Sequence, residues 1–411
     1  MTLDDVLALD AADPLSGKRQ AFVLPEGTIN LDGNSLGCLP RAARQRAREV
    51  IDRQWGQDLI TSWNRHQWIR LPQRTGERIA RLLGAAPGQV ICCDSVTINL
   101  FKLLGAALSL RPERSVVLAQ AESFPTDLYA VQGLQQLLGT ERCRLQTVPE
   151  ERVEAALNDD VAVVLLSQVN FRTGRIHDIE TLTRLAHERG IPVIWDLSHS
   201  TGVIPLELDG WEVDFAVGCG YKYLNGGPGA PAFLYAAQRH HSCLQQPLSG
   251  WMGHAAPFDF DPDYRPAAGI DRFLTGTPPI LSMSVLDAAL DVMEDCTMHQ
   301  LRDKSLSLSE LLLQLHSERS ALHCLEPASP LDPAQRGGQL AFSHPEAYAI
   351  CQALIERGVI ADFRAPDLLR LGFSPLYLSH RDILDATDIL EDILTRGTWH
   401  DPRFRERNPV T

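Results

Sequence analysis

The middle of the chain alternates between short apolar runs and segments with helical periodicity. Four runs rich in β-branched residues lie at 115–119 (SVVLA), 161–166 (VAVVLL), 191–195 (IPVIW) and 213–217 (VDFAV). Between two of them, residues 179–189 (IETLTRLAHER) have the spacing of an amphipathic helix. Continuous apolar strands that alternate with helices are typical of a mostly parallel sheet covered on both faces. We therefore predict an α/β fold whose ligand site lies beyond the carboxyl ends of the strands.

The pattern changes after about residue 280, where longer helical segments dominate. We predict helices there at 284–317, 346–357 and 381–396. Strands are predicted at 338–342 and 368–373. A chain of 411 residues is long enough for two or three domains, at about 150 residues each. We predict a large domain over 56–275 and a smaller, discontinuous α+β domain over 1–55 and 276–411.

Charge and hydropathy exclude several classes of partner. The chain has 38 basic and 52 acidic side chains, a net charge of −14, and no stripe of Lys and Arg, so we expect no nucleic-acid partner. No apolar run approaches the roughly 20 residues that span a bilayer, so we expect no membrane partner. The acidic start, MTLDDVLALD, is unlike a secretory signal, and we expect a cytoplasmic protein.

The nine cysteines are odd in number and have no C-x-x-C spacing. A disulfide framework or a structural zinc site is therefore not expected, and we predict buried thiols and no metal site.

Two segments of the middle region carry residues that suggest chemistry. In IPVIWDLSH, Asp196 ends a buried strand and His199 follows three residues later. A buried carboxylate needs a cation or a hydrogen-bond partner, although a turn cap would explain one such Asp equally well. In GCGYKYLNGGPGAPAFL, Lys222 stands among small and apolar residues. An enclosed lysine loses its proton more readily, as Schiff-base chemistry requires, whereas the alternative is a lysine that reaches solvent from a loop.

A strand-end Asp, a His one turn later and a Tyr-Lys pair 26 residues after the Asp form a known combination. Pyridoxal phosphate enzymes of the aspartate aminotransferase fold use it, with the Asp keeping the ring nitrogen protonated and the Lys holding the cofactor. More specific are seven strings, which occur in order over nearly the whole chain: LDGNSLGCLP (31–40), DSVTINLFKLL (94–104), SFPTD (123–127), WDLSHSTG (195–202), GCGYKYLNGGPGAPAFLY (218–235), LSGWMGH (248–254) and LRLGFSPLYLS (369–379). Together they closely resemble the kynureninase family.

The resemblance implies a fold and an activity. The fold would be the fold type I, class V aminotransferase-like architecture, with a large mixed-sheet domain and a smaller α+β domain. The cofactor would be pyridoxal 5'-phosphate, and the protein would be a homodimer. The reaction would be hydrolysis of L-kynurenine to anthranilate and L-alanine in tryptophan catabolism. Preference between L-kynurenine and 3-hydroxykynurenine stays open.

The resemblance also implies roles for residues at matching positions. At the cofactor it places Val96 and Thr97 on the phosphate, Phe124 on the ring face, and Asp127 and Ser167 beside the ring. Asp196 would pair with the ring nitrogen, and His199 would be its neighbour. Tyr221 would contact the phosphate and move a proton, and Lys222 would hold the cofactor covalently.

Further positions concern the substrate and the second subunit. Trp251 would reach the phosphate across the dimer interface, and Arg370 would bind the substrate α-carboxylate. Trp63, His66 and Thr277 are expected near the aromatic end of the substrate, with Thr277 also at the cofactor. Because Thr277 is Asn in some relatives, a hydrogen bond there is expected to differ.

Three other interpretations remain open at this point. The string GNSLG (33–37) satisfies G-x-S-x-G, the nucleophile elbow of esterases, but Ser35 stands far too early in the chain for that fold. Another class V enzyme, such as a cysteine desulfurase or an aminotransferase, would share the Asp, His and Lys, although a desulfurase needs a reactive cysteine on a mobile loop. A binding or regulatory protein would have no need to keep Lys222, Asp196 and Arg370 together.

Overall fold

The structure is a computed structural model that describes residues 1–407. The last four residues of the predicted small domain lie outside this range. Fifteen strands are described: β1 (Phe22–Val23), β2 (Ile29–Asn30), β3 (Leu39–Pro40), β4 (Val90–Cys92), β5 (Val116–Gln120), β6 (Arg144–Val148), β7 (Val161–Ser167), β8 (Val193–Asp196), β9 (Phe215–Cys219), β10 (Ala232–Ala236), β11 (Glu326–Pro327), β12 (Gln339–Ser343), β13 (Val359–Ile360), β14 (Asp362–Arg364) and β15 (Leu368–Gly372).

Twelve α-helices are described in the same range. They are α1 (Leu3–Ala12), α2 (Arg41–Glu49), α3 (Ser62–Arg65), α4 (Leu71–Leu82), α5 (Val96–Leu110), α6 (Pro125–Leu138), α7 (Val153–Ala156), α8 (Ile179–His187), α9 (Ile280–Ala289), α10 (Met298–Glu318), α11 (Ala347–Glu356) and α12 (His380–Arg396). Short 3₁₀ segments and one π-helical segment, Val50–Trp55, join several of them.

Seven strands form one large mixed sheet in the order β4-β10-β9-β8-β7-β5-β6. Neighbours from β9 to β6 pair in parallel, and β10 runs antiparallel to both β4 and β9. Strands β5, β8 and β9 are buried along their whole length, as the continuous apolar runs predict. The α/β prediction is therefore confirmed, and the parallel strands place their carboxyl ends at one edge of the sheet.

A second sheet of four strands, in the order β11-β12-β15-β14, is antiparallel throughout. The N-terminal residues join this part of the chain, since β2 pairs in parallel with β13 and Asp32 bridges to Gly372. Helix α1 packs on α12, where the Asp10 carboxylate accepts hydrogen bonds from the backbone N–H of His380 (2.7 Å) and Arg381 (3.0 Å).

The helical pattern at 284–317 contains two helices instead of one. Helix α9 ends at Ala289, a 3₁₀ segment covers Leu290–Met293, and α10 begins at Met298. The break follows from Thr297, whose hydroxyl accepts from the Gln300 backbone N–H (3.2 Å) while the Gln300 side chain accepts from the Thr297 backbone N–H (2.9 Å). This reciprocal cap starts a new helix.

All nine cysteines are free, as predicted, but not all are buried. Cys243 and Cys324 are exposed, and Cys38 and Cys296 are only partly buried, so the prediction of buried thiols is wrong for these four. Within residues 1–407, no helix is both long and apolar enough to cross a membrane.

Candidate active site

A cavity of about 280 Å³ opens at the carboxyl edge of the large sheet. Residues that follow β5, β7, β8 and β9 line it, together with the start of α5, the N-terminal segment around Ser35 and two arginines of the small sheet. Nine of the predicted site residues line this cavity: Val96, Thr97, Phe124, Ser167, Asp196, His199, Tyr221, Lys222 and Arg370. Ligand sites at the carboxyl ends of parallel strands are the rule in such sheets.

The start of α5 presents backbone N–H groups to the cavity wall. Ser95 caps the helix, and its hydroxyl accepts from the Ile98 backbone N–H at 3.4 Å. The N–H groups of Val96 and Thr97 have no acceptor among the described residues, as expected for the first turn of a helix. Free N–H groups and the positive end of the helix dipole favour an anion, so this end can hold a phosphate.

Asp196 ends β8 with a side chain that is nearly buried, at 6% exposure. One carboxylate oxygen accepts from the Ser198 backbone N–H at 2.7 Å. Asp196 therefore caps the turn, and it also lines the cavity, so the predicted contact with a ligand is sterically available. Its charge is available to a cationic group in the cavity.

Lys222 lies in the loop after β9, and its Nζ is 2.9 Å from His199 Nε2. Burial, together with the positive charges of Lys222 and Arg370, lowers the pKa of His199 well below its usual value. The imidazole is therefore neutral, and its Nε2 lies within hydrogen-bond distance of the lysine Nζ. His199 Nδ1 is buried and has no partner within the described part of the chain, which leaves it for a ligand.

The N-terminal segment passes directly over the lysine loop. Gly37 donates its backbone N–H to the Tyr221 carbonyl oxygen at 2.9 Å. A Cβ at position 37 would lie 2.4 Å from the Lys222 carbonyl oxygen, a distance that side chains do not tolerate. Glycine is therefore required for this contact, which holds the N-terminal segment against the lysine loop.

Asp127 lies behind the cavity wall and reaches it through Ser167, whose hydroxyl donates to Asp127 Oδ2 at 3.0 Å. Burial and the neighbouring Asp196 carboxylate raise the pKa of Asp127 well above its usual value. This shift favours the protonated carboxyl, and Oδ1 has no partner among residues 1–407. A protonated carboxyl in this position can donate a hydrogen bond to a ligand oxygen.

Aromatic side chains form another part of the cavity wall. The Phe124 ring meets the Phe171 ring edge to face at a centroid distance of 5.2 Å, and both line the cavity. Burial, the adjacent Cys219 thiol and Asp196 raise the pKa of Tyr221 well above its usual value. Tyr221 therefore keeps its proton at neutral pH and can act as a hydrogen-bond donor.

Arg370, on β15, is 1% exposed and forms a network at the small-domain side of the cavity. Its guanidinium donates to the Phe171 carbonyl oxygen, to Ser35 Oγ (2.9 Å) and to Asp362 Oδ2. Arg364 donates to the other Asp362 oxygen at 2.8 Å. Burial alone would raise the pKa of Asp362, but the charges of Arg370 and Arg364 lower it.

This network argues against the esterase interpretation. Ser35 follows the two-residue strand β2, and its hydroxyl donates to Asp362 at 2.8 Å while accepting from Arg370. Its partners are a carboxylate and a guanidinium, with no histidine among its hydrogen bonds in the described chain, so the geometry of a nucleophile elbow is not present. Ser35 orients Arg370 instead.

Sequence reasoning did not identify Phe171, Asp362 and Arg364 as parts of the site. Asp362 and Arg364 are two residues apart on β14 and therefore share one face of the strand. That spacing was the available signal, but an exposed strand face has the same pattern. Only the pairing of β14 with β15 shows that this face meets Arg370.

Besides Asp127, four predicted residues do not line the cavity of the single chain. Trp251 is 40% exposed and its ring contacts Phe258 at 5.7 Å. Trp63 packs against Trp68 at 6.1 Å, and Thr277 is exposed. His66, expected near the aromatic end of the substrate, instead contacts Asp58 at 2.7 Å.

The site fits pyridoxal phosphate better than a metal ion. No group of three or more His, Cys, Asp or Glu side chains within residues 1–407 could hold a metal. By contrast, the cavity offers a partner for each part of pyridoxal phosphate. The free N–H groups of Val96 and Thr97 suit the phosphate, and the Asp196 carboxylate suits the ring nitrogen. The Asp127 carboxyl, whose pKa is raised, suits the ring oxygen, and the Lys222 amine suits the aldehyde.

Comparison with known proteins agrees with this geometry. Solved structures share the fold: a C-DES mutant with glycine covalently linked to its PLP cofactor (TM-score 0.80, 18% identity, 91% of this chain and 99% of that one) and a cysteine desulfurase from Escherichia coli (TM-score 0.76, 18% identity, 93% and 98%). The family model described as the kynureninase C-terminal domain matches residues 301–390. Kynureninases from Pseudomonas fluorescens and Burkholderia pseudomallei are 47% and 48% identical to this chain, with 100% of both chains covered. The chain therefore belongs to the kynureninase family.

Proposed function

We propose that this protein hydrolyses L-kynurenine to anthranilate and L-alanine, with pyridoxal 5'-phosphate as its cofactor. The observation that carries the proposal is the convergence of Lys222, Asp196 and Arg370 on one cavity. Full-length identity of 47% to a kynureninase supports the substrate. Tryptophan catabolism is the metabolic context in which such a reaction would serve.

Cofactor binding is assigned to residues around the cavity. The N–H groups of Val96 and Thr97 would hold the phosphate, Phe124 would cover the ring face, and Asp196 would keep a proton on the ring nitrogen. Asp127, backed by Ser167, would donate to the ring oxygen. When bound, pyridoxal phosphate supplies an electron-withdrawing ring that weakens the bonds at the substrate α-carbon.

Lys222 and Tyr221 would move the protons. Lys222 Nζ, held by neutral His199 at 2.9 Å, takes the proton from the substrate α-carbon. A water molecule adds to the γ-carbonyl carbon, and the Cβ–Cγ bond then breaks. The acyl carbon leaves as the carboxyl group of anthranilate, and the electron pair stays on Cβ. Tyr221, which keeps its proton, is placed to supply the proton that Cβ requires, and it would regain one from the added water. Lys222 would return the α-proton to the α-carbon, which completes alanine.

Arg370 would bind the α-carboxylate of the substrate. Its guanidinium is fixed by Phe171, Ser35 and Asp362 before substrate arrives, so less side-chain entropy is lost on binding. A pre-oriented arginine fork also matches the planar geometry of a carboxylate.

We further propose that two copies of the chain form a homodimer in which Trp251, Trp63 and Thr277 act at the partner's cavity. Two groups of exposed apolar side chains support this, because large apolar surfaces are usually buried by another protein surface. They are Ile51, Trp55, Leu59 and Ile60 in the first group, and Trp251, Phe258, Phe260 and Tyr264 in the second. Light scattering at micromolar concentration should give twice the chain mass, whereas a monomer would remove this part of the proposal.

The domain division and the location are also proposals. All strands of the large sheet lie between residues 90 and 236, within the large domain at 56–275, and the four-stranded sheet lies between 326 and 372. This supports a small domain made of 1–55 and 276–411. A cytoplasmic location stays a prediction from the sequence.

A cysteine desulfurase is the alternative that the fold neighbours favour. Among the described residues, Cys219 is the cysteine that lines the cavity, and it is buried at the end of β9. A desulfurase cysteine must move to the substrate, which a residue within a central strand cannot do. The site therefore fits the carbon–carbon hydrolysis better.

One experiment separates these activities. The protein with pyridoxal phosphate is incubated with L-kynurenine, with 3-hydroxykynurenine and with L-cysteine, and anthranilates and sulfide are measured. Fluorescent anthranilate and no sulfide are expected, and the two kcat/KM values rank the kynurenines. Sulfide without anthranilate would overturn the proposal. Lys222→Ala should abolish the visible absorbance that borohydride traps, with the Lys304→Met variant as a control that keeps it.

A further inference from the structure

Lys102 is a fully buried cation that the proposed chemistry does not use. It lies on α5, six residues after Val96, and its side chain is 0% exposed. A buried ammonium group persists only where charge and hydrogen bonds compensate its desolvation. The contacts of its ammonium group therefore indicate its structural role.

The Lys102 Nζ joins two segments that are distant in sequence. It donates to the Asp94 carboxylate, directly before the first turn of α5, and to the Phe273 carbonyl oxygen at 2.6 Å. The other Asp94 oxygen accepts from the Thr275 hydroxyl at 3.2 Å. The start of α5 is thus tied to residues 273–275.

The turn at Asp94 needs such a tie. Asp94 has a positive φ of 48°, in the left-handed backbone region that residues other than glycine adopt infrequently. Its carbonyl oxygen also accepts from the Ala232 backbone N–H at 2.9 Å, at the beginning of β10. These contacts hold the turn that directs the N–H groups of Val96 and Thr97 toward the cavity.

The tied segment leads to the residues proposed to act at the partner's cavity. The Thr275 carbonyl oxygen accepts from the Met252 backbone N–H at 3.0 Å, next to Trp251, and Thr277 follows two residues later. One lysine therefore connects the phosphate end of α5 with the segment around Trp251.

We propose that Lys102 is a positioning residue for the phosphate of the cofactor. It neutralises Asp94 and holds the left-handed turn, so that the first N–H groups of α5 keep the geometry that a phosphate requires. The inference rests on the proposed function, because it assumes that this end of α5 binds the phosphate of pyridoxal phosphate.

The test compares two ligands that differ only in the phosphate. Dissociation constants of pyridoxal phosphate and pyridoxal are measured by absorbance titration of the apoprotein for wild type and Lys102→Met. The variant should bind pyridoxal phosphate at least about tenfold more weakly, equivalent to about 1.4 kcal/mol, with pyridoxal changed less than about twofold. An equal change for both ligands, or none, would overturn the proposal.

Lys304→Met is the matched control. Lys304 is also buried, at 4% side-chain exposure, and pairs with Asp13 away from the cavity. This variant should lose thermal stability as Lys102→Met does but keep both dissociation constants. A similar loss of phosphate preference in Lys304→Met would show a general effect of instability and refute the role of Lys102.

A double variant covers the case in which Lys102→Met does not fold. Asp94→Asn combined with Lys102→Met removes both charges, so the apoprotein should regain stability while the preference for the phosphorylated ligand stays reduced. Wild-type affinity in the double variant would refute positioning. If the wild-type protein does not bind pyridoxal phosphate, the proposed function is refuted. If the wild type binds it and Lys102→Met binds it equally well, only the role of Lys102 is refuted.

Discussion

Replacing Arg370 by methionine removes a buried guanidinium that lines the cavity. An arginine has five N–H donors. Three of them are engaged, by Phe171, Ser35 and Asp362. The remaining two include the one on Nε, which has no partner in the described chain. Two donors are thus available to a substrate carboxylate.

The expected loss follows from these two donors. Hydrogen bonds to charged groups contribute about 1.5 kcal/mol or more each, so the pair should contribute about 3 kcal/mol, or roughly 150-fold in affinity. Arg370→Met should therefore raise the KM for L-kynurenine by about two orders of magnitude, with a smaller change in kcat. The dissociation constant of pyridoxal phosphate should stay within about twofold.

The assay uses a competitor without the carboxylate. The amine that remains when L-kynurenine loses its α-carboxylate should inhibit wild type and variant equally, because Arg370 has no group to bind in it. Arg336→Met is the control, since Arg336 is equally buried and its guanidinium donates to the carbonyl oxygens of Pro330 and Leu331, outside the cavity lining. An unchanged KM in Arg370→Met, or equal weakening of the competitor, would refute the role of Arg370.

Three further predictions follow from the same geometry. Asp196→Asn should lower kcat by a factor of about 100 or more, which is the usual effect of removing a group that takes part in proton transfer, with little change in melting temperature. Full activity of this variant would contradict the pairing of Asp196 with the ring nitrogen. Gly37→Ala should lower kcat/KM at least about tenfold because its Cβ would displace the Lys222 loop, whereas Gly133→Ala, with open space around its Cβ, should leave it unchanged. Burial and the Asp362 charge raise the pKa of Asp32 to about 7. Since the folded protein then holds this proton more tightly than the unfolded chain, its contribution to stability is lost as pH rises from about 4 through about 7. Asp32→Asn should therefore raise the melting temperature more at pH 8 than at pH 5, and an equal gain at both would contradict the shift.

The parallel part of the fold was predictable because buried strands have an unmistakable pattern. The run at 161–166 became β7, which ends one residue later, and the run at 213–217 became β9, which begins and ends two residues later. Strand β6 (RLQTV) carries polar residues and lies at the sheet edge, so its sequence has no continuous apolar run. Edge strands with an exposed side are harder to recognise from hydrophobicity alone.

The candidate site was predictable where short strings carry the chemistry. Asp196, His199 and Lys222 come from two segments joined by β9, and the carboxyl ends of β8 and β9 bring them together. Asp362 and Arg364 could not be found in this way, because their role depends on the pairing of β14 with β15. Lys102 also escaped, since nothing in DSVTINLFKLL indicates that its partners are Asp94 and Phe273.

Product stoichiometry tests the central claim most directly. The purified protein, saturated with pyridoxal phosphate, is given L-kynurenine, and anthranilate and alanine are quantified together by chromatography. We expect equal amounts of the two products from the wild type and none from Lys222→Ala. Consumption of L-kynurenine without alanine, or turnover by Lys222→Ala equal to wild type, would contradict the account.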